Sequence, residues 1–475
     1  MAPLLIALPL GLGALAWIAR DRRISRAALL GTAAVFLAAV AAWWAGAGRG
    51  DSGGGLAAYL SVDAIGLVFL TIMALVFAAA AVASLAYFKE QGLSPRREAA
   101  YTAQLLFFAA AMAGVMLARH LALFWVLLEA TTLTSALLIY FEKKKSSLEA
   151  AWKYVFICSV GIALAFVGII ILTVGSRGIN SLFFTELARR AGEINPFWLK
   201  MAFAFILVGF GTKIGVAPIH AWLPDAHSEA PAPVSALLSG ALLNSSFLGL
   251  VRFQAIMIRA GLGGFSDFLL ILTGFLSLVV AAAFLLQTVN YKRMLAYSSI
   301  ENMGILFLGL AFGPAGFFAA LLHSAAHSLA KASLFLTSGE ILRLYGSKRI
   351  DDVRGLLRRE PRIGWVWIVS FLAVAGFPPF PAFLSKILLI GAFFAAGSGW
   401  LTGPFLALIV VIVFGMGGAV FRMAFGEPPA PAAAERSGLL SYGPQVLLLI
   451  LLLAIGLSIP AKVLALMREA VGLLN

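Results

Sequence analysis

The chain has 475 residues, 62% of them hydrophobic and only 12% charged, with a mean hydropathy of +0.99. That balance excludes a soluble domain and places the protein among polytopic membrane proteins. A net charge of +14 invites a nucleic-acid partner, whereas the one cysteine, Cys158, leaves no means of building a disulfide or a cysteine-held iron–sulfur cluster within the chain.

The first stretch, MAPLLIALPLGLGALAW, lacks a basic leader, and positive charge follows it in RDRRISR. It reads as a retained membrane helix and not as a cleaved signal. Apolar runs of about twenty residues then recur and predict about fourteen transmembrane helices. They fall near 3–18, 27–47, 62–88, 100–118, 121–141, 152–174, 198–222, 232–258, 265–288, 295–313, 316–342, 364–396, 402–424 and 443–466. The fold class is therefore an all-α polytopic membrane protein. Lys and Arg outside the spans concentrate in the loops after odd-numbered spans, which puts those loops in the cytoplasm and both termini outside. The basic excess is topological, so lipid is an expected partner and nucleic acid is not.

Ionisable residues inside the spans carry the functional signal. Glu129, in FWVLLEATTLTSALL, lies too deep to snorkel through a hydrocarbon core of about 30 Å. Lys213, in VGFGTKIGVAPIHAWLPDAHSEAP, is equally deep, and Gly215 and Pro218 interrupt its helix just beyond. A charge at that depth costs a few kcal/mol or more. The two residues form either a static buried ion pair or a pair of proton carriers, and the second reading is preferred. Asp225, His227 and Glu229 are expected in a short loop near the cytoplasmic surface, capping a helix start and not holding a metal. Asn244, in SGALLNSSFLGLVR, is central and can hold water but no charge. ALLHSAAHSLAKASLFL places His323, His327 and Lys331 at i, i+4 and i+8, a polar stripe about 12 Å long that reads as a proton wire. Glu340 needs only a surface ion pair with Arg343. The seven Lys and Arg of 343–362 enforce topology or receive a cytoplasmic partner.

An internal periodicity joins these residues. Glu129 precedes Lys213 by 84 residues and Glu301 precedes Lys386 by 85, and both lysine helices are interrupted, by GVAP and by GFPPFP. The division this implies is 1–99 for helices 1–3, 100–260 for helices 4–8, 261–425 for helices 9–13 and 426–475 for helix 14. Five helices is an odd number, so two tandem five-helix blocks form an inverted repeat.

GTKIGVAPIHAWLPDAHSEAPAPVSALLSG resembles the signature of the antiporter-like subunits of respiratory complex I, group 4 membrane-bound nickel–iron hydrogenases and Mrp-type antiporters. LLEATTLTSALL with SLEAAWKYVFICSVG, and LAYSSIENMGIL with HSAAHSLAK, are most similar to the hydrogenase-4 component F and formate hydrogenlyase branch. The resemblance implies fourteen helices with two inverted five-helix repeats containing broken helices. It carries proton transfer onto Glu129, Lys213, His323, His327, Lys331 and Lys386. Beside these, Asn244, Glu301, His220 and Asp225 are candidate supporting groups. Asn244 stands where many relatives carry lysine, and Lys386 where some carry glutamate.

The expected function is proton translocation in a redox-driven, hydrogenase-like complex of a prokaryotic inner membrane. This chain would hold no cofactor or metal. Peripheral cytoplasmic hydrogenase subunits would carry the nickel–iron centre and iron–sulfur clusters, and other membrane subunits would flank the chain. The alternatives are a cation/proton antiporter subunit without redox coupling and an inert scaffold for a peripheral enzyme.

Overall fold

The computed structural model describes residues 1–46, 54–428 and 437–474, so the end of the expected 27–47 span lies outside the described residues. The described residues are mainly helical. In order come α1 (Leu4–Ala19), α2 (Arg22–Trp44), α3 (Ala64–Glu90), α4 (Pro95–Leu117), α5 (Leu121–Ile139) and α6 (Lys145–Gly175). They are followed by α7 (Pro196–Ile214), α8 (Trp222–Glu229), α9 (Ala232–Arg259), α10 (Gly263–Leu285), α11 (Tyr291–Ala311) and α12 (Gly313–Tyr345). The last are α13 (Pro361–Ala375), α14 (Pro381–Ala395), α15 (Thr402–Ala424), α16 (Leu439–Leu457) and α17 (Ala461–Val471).

Among the described residues, eleven helices are long and apolar enough to cross a membrane. Each of the fourteen expected spans is helical, two of them as broken pairs, α7/α8 and α13/α14. The span expected at 443–466 is corrected: its helix stops at Leu457, and Pro460 caps a separate short helix, α17. The apolar run continues across the stop, but proline cannot extend the helix before it.

The α9 helix is wholly buried and α11 nearly so, with α3 and α4 mostly covered, whereas α6, α10, α15 and α16 turn apolar faces outward. That is the arrangement a lipid-facing rim around a packed centre requires. Close approach of α6 to α7 depends on glycine. A Cβ on Gly209 would sit 2.5 Å from the Ala165 Cβ and 2.6 Å from the Gly161 carbonyl oxygen. Small residues let membrane helices pack backbone to backbone, where no hydrophobic effect drives them together.

The two broken helices share their breaking device. Gly215 ends α7 with φ +80° and Gly376 ends α13 with φ +84°, a left-handed turn that glycine adopts without cost. An X-Pro bond follows two residues later in each, Ala217-Pro218 and Pro378-Pro379. The lysines, however, do not share a register. Lys213 closes the half before its break, and Lys386 lies in α14, beyond its own. The matching 84- and 85-residue spacings therefore do not align the helices through their breaks.

Candidate functional site

At one end of the buried polar system, Lys213 is fully enclosed. Its Nζ donates to Thr132 Oγ1 and to the Tyr154 hydroxyl, both at 2.7 Å, and lies 4.9 Å from the centre of the Tyr154 ring. Thr132 in turn donates to Glu129 Oε2 at 3.1 Å, and Ser159 donates to Glu129 Oε1 at 2.6 Å. Glu129 and Lys213 are thus joined through a hydroxyl that accepts from one and donates to the other. The break beside Lys213 is satisfied by side chains: Trp222 Nε1 donates to the Thr212 carbonyl at 2.8 Å, and Ser277 Oγ accepts from Ala217 N at 3.0 Å. Freed backbone groups in a membrane need such partners.

In the middle, a π-helical turn at Leu238–Leu242 precedes Asn244. Such bulges re-aim the side chains that follow. The Asn244 amide donates to Gly240 O at 3.2 Å and Ser328 Oγ at 2.7 Å, and Ser324 Oγ donates to its Oδ1 at 3.0 Å. Those serines adjoin His323 and His327 on α12. His323, His327 and Lys331 are all fully buried. Among the described residues neither ring nitrogen of His327 meets a partner in good hydrogen-bond geometry, and Lys331 Nζ donates to the Leu295 carbonyl at 2.7 Å.

At the other end, Lys386 Nζ lies 3.5 Å from Glu301 Oε1 and donates to the Ala375 carbonyl at 3.1 Å, satisfying the open end of α13. Asn302 Nδ2 donates to Ser298 O at 2.6 Å. That orientation leaves Asn302 Oδ1 to accept from His323 Nε2 at 2.9 Å. His323 Nδ1 faces Ser385 Oγ at 2.8 Å, so α12 is tied to both α11 and α14 through one ring.

Two expectations are corrected. Asp225, His227 and Glu229 occupy the helix α8 and not a loop, and they diverge. Asp225 pairs with Arg293 and with Lys153, at 3.2 Å for the latter, while Glu229 takes Lys348 at 2.9 Å and Ser146 at 2.8 Å. His227 turns into the core, stacked on Phe335 at 4.5 Å, and among the described residues neither ring nitrogen has a hydrogen-bond partner. The sequence pattern is misleading because loop and half-helix look alike after a break. Glu340 does pair with Arg343, at 3.0 Å, but it is buried and not at the surface. His220 is half-buried beside Phe284. Sequence reasoning missed Tyr154, Thr132, Ser159 and Ser385. Only Thr132 carried a signal, three residues from Glu129 on one helix face.

An all-helical membrane bundle with two broken helices and buried lysines on both is the architecture of antiporter-like membrane subunits. The family model for "NADH:quinone oxidoreductase/Mrp antiporter, TM" matches residues 118–414, and the chain belongs to that family. A hydrogenase-4 component F homolog of Methylacidiphilum infernorum is 36% identical over 357 residues, covering 72% of this chain and 73% of the relative. Hydrogenase-4 component B of Escherichia coli is 26% identical over 385 residues, which is 77% of this chain but 56% of that protein. Several other relatives are likewise matched over only about half their length. Among solved structures, a chain of the archaeal membrane-bound sulfane sulfur reductase superposes with a TM-score of 0.88 at 25% identity, covering 100% of this chain and 97% of that one. A chain of the Mrp complex of a Dietzia species gives 0.86 at 22% identity, covering 99% and 96%, a likeness of fold alone. The relatives are subunits of membrane complexes, and this chain is an antiporter-like membrane subunit.

Proposed function

We propose that the chain moves protons across a prokaryotic plasma membrane as a subunit of a redox-driven complex of the group 4 hydrogenase type. One observation carries this reading. The buried ammonium groups of Lys213 and Lys331 are bonded to neutral oxygens, those of Thr132, Tyr154 and the Leu295 carbonyl, and not to a fixed counter-charge. A lysine retained for packing is paired with a carboxylate, because an unpaired buried charge costs several kcal/mol. A lysine that must give up its proton is better served by hydroxyls and carbonyls, which bind ammonium yet do not hold it. Glu129, Thr132 and Lys213 form the first station, His327 and Lys331 the second, and His323, Asn302, Glu301 and Lys386 the third. Imidazole and hydroxyl groups between them both accept and donate.

The helices divide into two inverted five-helix blocks, 100–260 and 261–425, a division supported by the common Gly-x-x-Pro break. The 36% identity to a hydrogenase-4 component F homolog supports a hydrogenase-type complex. In it, peripheral subunits on the cytoplasmic side carry the nickel–iron and iron–sulfur centres, other membrane subunits flank this chain, and both termini lie outside. Moving one charge against 100 mV costs about 2.3 kcal/mol, so a modest redox drop suffices for each proton. A second reading, cation/proton antiport without redox partners, draws on the likeness in fold to the Mrp chain. Purified complex in liposomes separates the two. Proton movement on adding electron donor and acceptor, with a large hydrogenase subunit co-purifying, supports the first. Movement driven only by an imposed sodium gradient supports the second, and no movement in either test leaves a scaffold.

A further inference from the structure

The two ring nitrogens of His323 are held by partners of different chemistry. The ring is fully buried where α12 meets α11 and α14, with Nε2 2.9 Å from Asn302 Oδ1 and Nδ1 2.8 Å from Ser385 Oγ. Turning the ring over would set carbons against both partners, so its orientation is fixed. Asn302 cannot be turned over either. Its amide nitrogen lies 2.6 Å from the Ser298 carbonyl, which can only accept, and 3.4 Å from Glu301 Oε2. The Asn302 oxygen therefore faces the ring, and an amide oxygen accepts without donating. It follows that Nε2 carries a proton in the neutral ring as well as in the cation.

Nδ1 has more freedom. Ser385 Oγ lies 2.9 Å from the Ala382 carbonyl on the same helix as well as beside the ring, so its hydroxyl proton has two acceptors in reach. With His323 neutral, the hydroxyl donates to the bare Nδ1. With His323 cationic, Nδ1 donates to Oγ and the hydroxyl turns to the Ala382 carbonyl. Both states keep Nε2, Nδ1 and Oγ bonded, and neither carries the cost of about 1–3 kcal/mol that an orphaned buried group brings. A proton passing through the ring from one nitrogen to the other would have to come or go by way of Asn302. A carboxamide is no carrier of protons.

We propose that His323 exchanges protons at Nδ1 alone, on the side of α14, with Asn302 as the positioning residue that fixes its tautomer and Ser385 as the hydroxyl that relays the proton. The inference rests on the proton-translocating function above and deepens it by naming the nitrogen that works. In release, the Nδ1 proton passes to Ser385 Oγ while the hydroxyl gives its own proton to a water. Uptake is the reverse. One proton moves in each direction of the exchange, and the serine is returned intact. His323 thus stores a proton for the station formed by Glu301 and Lys386, and the stripe on α12 does not conduct through this ring from His327.

Two measurements on the assembled complex test this. Nitrogen NMR spectra with isotope-labelled histidine are expected to contain a signal of the Nε2–H tautomer that disappears in His323→Gln. Finding the Nδ1–H tautomer there instead overturns the assignment. In Asn302→Leu the same signal is expected to move toward a mixture of tautomers, and an unchanged signal overturns the role of Asn302. In sealed vesicles, Ser385→Ala is expected to slow redox-driven proton uptake by about tenfold or more, and Ser385→Thr, which keeps the hydroxyl, to recover it. Co-purification of partner subunits confirms assembly of each variant. Wild-type uptake in assembled Ser385→Ala, or an equal loss in assembled Ser385→Thr, overturns the relay while leaving the translocation reading intact. A wild-type complex that moves no protons overturns that reading and the exchange with it.

Discussion

Replacing Lys213 by arginine separates the two things a buried lysine can do. Both side chains are cations, so a lysine that serves only as a positive charge opposite Glu129 tolerates the change. The site in which the exchange is made is tight: Lys213 is fully buried, with Nζ held between Thr132 and Tyr154 at 2.7 Å. The larger guanidinium strains that site by about 1–3 kcal/mol, the usual cost of overpacking. A protein spread over fourteen packed spans survives that loss, so the variant assembles. Proton release is another matter. A guanidinium ordinarily holds its proton about three pKa units more tightly than an amine, which is about 4 kcal/mol and roughly a thousandfold in the deprotonated population. Redox-driven proton uptake into inverted vesicles should therefore fall below detection in Lys213→Arg, while the partner subunits still co-purify. Uptake at the wild-type rate would refute the carrier role and leave a static charge at this position as the better account.

Thr132→Val removes the hydroxyl that joins Lys213 to Glu129. The lost bond to a charged group is worth about 1.5–3 kcal/mol, so proton uptake should slow by about tenfold or more, and Thr132→Ser should restore it. Glu301→Gln should weaken uptake in the same assay, because it removes the negative charge that lies 3.5 Å from Lys386 Nζ and leaves only neutral oxygens beside it. Gly209→Ala drives a methyl group into Ala165 and the Gly161 carbonyl, so it should lower the thermal midpoint of the purified complex through about 1–3 kcal/mol of overpacking. Asp63→Asn removes the carboxylate shared by Arg119 and the buried Arg252. Breaking a buried pair costs about 3–5 kcal/mol, so the same midpoint should drop further than for Gly209→Ala, and an unchanged midpoint would show that Arg252 is hydrated in place.

What the sequence determined by itself was everything set by local composition and helical period. Apolar runs of the right length specify the spans because a bilayer admits only segments that satisfy their own backbone. Gly215 and Gly376 mark the breaks because a left-handed turn followed by proline cannot continue a helix. The depth of Glu129 and Lys213, and the stripe of His323, His327 and Lys331, follow from counting along single helices. The tertiary structure alone decided which residues from different helices meet. Only there does Tyr154, on α6, close over Lys213, on α7, and only there does His323 reach Asn302 on one side and Ser385 on the other. It placed Lys386 beyond its break, against Glu301, although the spacing suggested a match to Lys213. It also carried His227 from an expected surface loop into the core beside Phe335. The physical reason is common to all of these. Periodicity fixes the face a side chain occupies on its own helix, but the partner it meets depends on how that helix is rotated, tilted and broken against its neighbours, and those quantities are set by packing across the whole bundle.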